Sequence, residues 1–89
     1  GSQMLGNMKR TKIEAGLYEV IAPNGLRFAI EKIFDPEVHG AVDVWKLFVA
    51  KTPDAEIGYG MDWEWCETFH RLGYAMNWLN HTDLNEVFK

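Results

Sequence analysis

The sequence predicts an α+β fold: a three-stranded antiparallel sheet with one C-terminal helix packed on one face, in the order β-β-β-α. Three observations lead there. Strand-forming residues gather in three runs within the first 51 positions. The triplet Pro23-Asn24-Gly25 parts the first two runs and is strong turn chemistry. From Trp63 onward, apolar residues recur at helical spacing. Three strands and a helix are about the least that is stable alone.

The first run is Ile13 to Ala22, rich in Ile, Leu, Tyr and Val, with Gly16 inside it as a bulge or kink. In the turn, proline presets one dihedral while Asn24 and Gly25 tolerate positive φ, so a tight hairpin is expected. The return strand is Leu26 to Phe34, with Leu26, Phe28 and Ile30 on one face and Arg27, Ala29 and Glu31 on the other. Asp35-Pro36-Glu37 ends it, and a loop follows through His39 and Gly40. The third strand is Val42 to Lys51. Trp45, Leu47 and Val49 face one way; Val44, Lys46 and Phe48 face the other. That second set is not fully polar, so part of the outer face should be covered.

Thr52-Pro53-Asp54 breaks the sheet. Asp62 reads as a helix N-cap, with Glu64 and Glu67 where the helix dipole favours acids. The spacing predicts a helix from Trp63 to Leu79. Trp65, Phe69, Leu72, Met76 and Leu79 form its core stripe, with Gly73 beside it allowing close approach to the sheet. Asp83 and Glu86 read as a capping pair for a short last turn.

Composition narrows the classes of function. With 89 residues, a second domain is not expected. Gly1, Ser2 and Gln3 look like expression-tag residues, and residues 1–10 are set apart as remnant and flexible lead-in before one domain at 11–89. A net charge of −4 argues against a chain that lives on nucleic acid. One cysteine, Cys66, rules out an internal disulfide and points to a reducing compartment, with cytoplasmic localisation expected. No apolar run approaches a membrane span. Asp62, Cys66 and His70 are spaced four apart, but the paired spacings typical of zinc sites are missing. No metal, cofactor or small-molecule ligand is expected. Enzymatic activity is not expected either, since nucleophilic catalysis needs an orienting group and a cleft.

One surface stands out. Opposite the core stripe, the expected helix carries Trp63, Glu67, His70, Arg71, Tyr74 and Trp78. Aromatics and arginine are the residues most enriched in binding hot spots. A homodimer seam or a partner-binding face is therefore expected there, against the plainer reading that loops fold back over the rings. The alternative is a small nucleic-acid-binding domain using Lys12, Arg27 and Lys46 on the outer sheet face.

The run Lys12-Ile13-Glu14-Ala15-Gly16-Leu17-Tyr18-Glu19-Val20 resembles the opening strand of small bacteriophage-encoded proteins of unknown function. In those, a hairpin, a tryptophan-bearing third strand (here Asp43-Val44-Trp45-Lys46-Leu47) and a C-terminal helix follow. The resemblance implies a phage accessory protein acting in the host cytoplasm by binding itself or a host protein. It carries over no functional residue.

Overall fold

The computed structural model describes residues 8–37, 40 and 42–87. Five strands form one antiparallel meander in sequence order: β1 (Arg10–Glu14), β2 (Leu17–Ile21), β3 (Arg27–Asp35), β4 (Val42–Ala50) and β5 (Trp63–Phe69). A 3-10 turn at Gly60–Asp62 leads into β5. Helix α1 (Leu72–His81) and a single turn α2 (Leu84–Val87) follow. The broad α+β class stands, but the sheet has five strands where three were expected.

Both extra strands have physical causes. Ala15 and Gly16 are not a kink inside one strand. They are a two-residue hairpin loop, with Gly16 at φ 80°, and Glu14 pairs with Leu17 across it. The lead-in thereby becomes β1, whose five residues are all exposed. Ordered structure also starts before position 11: the Met8 backbone N–H donates to Asn80 Oδ1 at 2.9 Å.

The expected helix from Trp63 to Leu79 is half strand. Trp63 to Phe69 pairs along β4, where aromatic and β-branched side chains suit a pleated surface. A bulge interrupts that pairing: Leu47 faces Glu67 and Phe48 faces Trp65, which leaves Cys66 unpaired. Asp62 accordingly caps no long helix; its carboxylate accepts the Glu56 N–H at 2.9 Å.

The Pro23-Asn24-Gly25 turn forms as its chemistry dictates. Gly25 N–H donates to Ala22 O, Asn24 Oδ1 accepts the Leu26 N–H, and Gly25 takes φ 91°. Asp83 caps α2 by accepting the Glu86 N–H on its side chain at 3.3 Å.

The core has two layers, one on each side of the sheet. On one face Val20, Phe28, Ile30, Leu47 and Val49 pack beneath Ala75, Met76 and Leu79 of α1 and Leu84 of α2. On the other face Ala29 packs with Trp63 and with Ala55 from the segment between β4 and β5. The partly apolar outer face read from β4 is thus covered, by that segment.

Candidate functional site

The six residues of the expected partner surface are not one face of one helix: they lie on β5, on the link that follows it and on α1. Trp63 is 8% exposed and sits in the second core layer, its Nε1–H donating to Glu56 O at 2.9 Å. Glu67 is on β5 beside the bulge and accepts the Thr68 N–H. His70 and Arg71 form the link between β5 and α1. Tyr74 is on the exposed side of α1, 57% exposed, while Trp78 packs half-buried on Phe69 with ring centroids 6.3 Å apart. Glu67 and Arg71, expected to pair one helical turn apart, are not on one helix.

The three cations of the alternative reading also part company. Arg27 is a structural clamp. It bonds Glu19 at 2.7 and 2.9 Å, donates to the Pro53 and Ala55 carbonyls, and lies 5.5 Å over the Trp63 ring. It fastens the covering segment to the sheet. Lys46 is paired with Asp35 at 3.7 Å. Of the three, Lys12 alone is exposed and has no ion pair among the described residues, and it lies on the opposite face, because it stands across from Tyr18.

Register shows what Lys12 has for neighbours. Arg10 faces Val20 and Lys12 faces Tyr18; Tyr18 faces Ile30; Lys32 faces Trp45; Trp45 faces Phe69. Directly opposed residues share a sheet face. All of these therefore lie on the helix-bearing face; Lys32, Trp45 and Phe69 stand toward the β3–β4 hairpin, and Arg10, level with Phe28, stands toward the other end. The Tyr18 and Trp45 rings meet above β3 with centroids 5.9 Å apart and planes tilted by 52°. Phe69 carries the strip to β5, and Trp78 carries it to α1. Four half-buried rings thus run from β2 to the helix.

Cations line this strip. The Arg10 guanidinium is 5.4 Å from the Tyr18 centroid, and Lys32 Nζ is 5.9 Å from that of Trp45. Both distances fit cation–π attraction. Arg10, Lys12 and Lys32 are exposed, and among the described residues none pairs with a carboxylate. Two acids share the face, Asp43 opposite Phe34 and Glu67 opposite Leu47, two residues before Phe69. Three positive charges against two negative leave the patch at +1, in a chain whose net charge is −4.

The sequence holds this site but does not advertise it. Arg10 and Lys12 read as a lead-in until β1 pairs with β2. Lys32 and Trp45 then meet only through register.

Other clefts are less suited to a ligand. One of about 130 Å³ lies beside Trp63, Phe48 and Glu31, below the roughly 300–1,000 Å³ of a typical small-molecule pocket. Another, of about 360 Å³, lies between the Pro23-Asn24 turn and residues 79–85. Its wall amides bond within the fold, Asn24 to Asn85 and Met8 to Asn80. Burial, with the Glu64 and Glu67 carboxylates, pushes the Cys66 thiol up to about 11, which disfavours its thiolate at neutral pH. No group of three or more His, Cys, Asp and Glu side chains is placed to hold a metal among the described residues. None of their helices is long and apolar enough to cross a membrane.

Comparison of the chain with protein-family models, with curated proteins and with solved structures finds no match.

Proposed function

We propose that this is a non-enzymatic binding protein whose working surface is the aromatic and cationic strip on the helix-bearing face, and that its partner is anionic. One observation carries the reading: three exposed cations, with no ion pair among the described residues, share a sheet face with half-exposed rings at Tyr18, Trp45, Phe69 and Trp78. The half-buried cations of the other sheet face, Arg27 and Lys46, are used internally. The segregation of positive charge in an acidic molecule orients an approaching polyanion toward this face. The single cysteine fits a reducing compartment. The likeness of residues 12–20 to small phage proteins supports an accessory role in a host cytoplasm, where acidic proteins and nucleic acids are the available polyanions.

Amide chemical shifts test this. The protein is titrated at low salt with an oligonucleotide and with polyglutamate. Saturable shifts are expected around Arg10, Tyr18, Lys32 and Trp45, with at least one of the two polymers. Binding of neither, or shifts centred on the opposite face near Trp63, overturns the proposal.

A further inference from the structure

Resting on that reading, we infer that the anionic partner is single-stranded nucleic acid, with bases stacked on Tyr18 and Trp45 and phosphates held by Arg10, Lys12 and Lys32. The cations alone do not discriminate, since carboxylates and phosphates both satisfy them. The rings do. An acidic peptide offers carboxylates on flexible stems and has little use for a row of aromatic faces. An unpaired strand offers a planar base with each charge, and stacking on side-chain rings is the sequence-tolerant half of single-strand recognition. A duplex keeps its bases stacked inside, so the rings have nothing to bind.

The geometry matches that division of labour. Tyr18 and Trp45 come from β2 and β4 and meet over β3, so neighbouring strands present neighbouring rings. Arg10 and Lys32 sit over those rings on long, mobile stems. When a base takes the ring face, each cation swings aside toward the phosphate of the same nucleotide. Guanidinium can also stack on the base directly. Lys12, beside Tyr18 on the edge strand β1, extends the cationic track. Asp43 repels phosphate at the hairpin end of the face. The strand therefore crosses from β1 toward β4 rather than running out along the β3–β4 hairpin.

The test compares three polymers on the full chain: an oligothymidylate of about a dozen residues, the same oligonucleotide annealed to its complement, and polyglutamate of matching charge. The single strand is expected to bind on the order of tenfold tighter than either competitor, with upfield movement of the Tyr18 and Trp45 ring protons. Three phosphate contacts give a slope of log affinity on log salt of about −2. Lys32→Ala and Arg10→Ala, at exposed positions that leave the core intact, each make that slope shallower by about 0.7. Tyr18→Leu lowers affinity on the order of tenfold with the slope unchanged. If polyglutamate or the duplex binds as tightly as the single strand, or the rings do not move, this inference fails while the polyanion-binding reading survives. If no polymer binds, both fail.

Discussion

At the scale of single residues, partnership separates the working cations from the structural ones. Arg27 spends its guanidinium on one carboxylate and two carbonyls, contacts that hold residues 53–55 against the sheet. Arg10 and Lys32 lie over rings and have no ion pair among the described residues. Cys66 shows the same dependence on surroundings. It is the unpaired residue of the β5 bulge and packs against the helix-side core. Burial first, and then the Glu64 and Glu67 carboxylates, raise its thiol from an ordinary value of 9.0 to about 11, against a smaller opposing hydrogen bond from the Val49 backbone. The folded value lies above the unfolded one, so the unfolded chain loses its thiol proton first. Stability is unaffected by this group below about pH 9 and falls as pH rises from there toward about 11. Near pH 8, iodoacetamide should therefore modify the native thiol far more slowly than the urea-unfolded one. The Cys66→Ala variant should lose stability less steeply across the alkaline window than the parent. Equal native and unfolded alkylation rates would show the thiol to be ordinary.

At the scale of elements, α1 bears on a second measurable property. Gly73 was expected to admit the helix close to the sheet, yet a Cβ built there meets nothing within 4 Å. The residue lies in the first turn of α1 and is exposed. Gly73→Ala should therefore stabilise the protein by about 0.5–1 kcal/mol through lower unfolded-state entropy and better helix propensity. Urea denaturation measures this, and a destabilised variant would mean that α1 packs its glycine after all. The same region shows why part of the fold was illegible. Turn chemistry is local, so the Pro23-Asn24-Gly25 hairpin, the ends of β3 and β4 and the Asp83 cap of α2 could all be read directly. Leu72, Met76 and Leu79 belong to the helix as their spacing indicated. β5 was hidden by its own bulge: skipping Cys66 breaks the two-residue alternation and puts Trp65 and Phe69 on opposite faces, so their spacing of four read as one face of a helix. No glycine or proline marks the break at His70 and Arg71. β1 was hidden for the opposite reason, since no residue in it is buried and it carries no apolar rhythm. The candidate site inherits both failures, because Arg10 and Lys12 come from β1 and Phe69 from β5.

At the scale of the whole molecule, the sheet ties two core layers into one unit. Adjacent residues of β3 serve opposite sides: Phe28 and Ile30 pack under α1, while Ala29 between them packs with Trp63 and Ala55. A strand cannot leave one layer and keep its place in the other. The chain is also small, and small domains usually unfold in a single transition. Leu79 is fully buried at the centre of the helix side. Leu79→Ala should cost about 2–5 kcal/mol, the range for truncating a buried leucine. Although the cavity opens only under α1, the loss should appear equally on the far face. Fluorotryptophan labelling gives separate signals for Trp63 and Trp78, one in each layer. In both parent and variant, urea should carry the two signals through one shared midpoint, and the substitution should move that midpoint as a unit. A Trp63 signal that keeps its original midpoint while Trp78 melts early would mean that the layers are separable. The aromatic strip would then rest on a helix able to detach from the sheet, and Trp78 would have to be dropped from it.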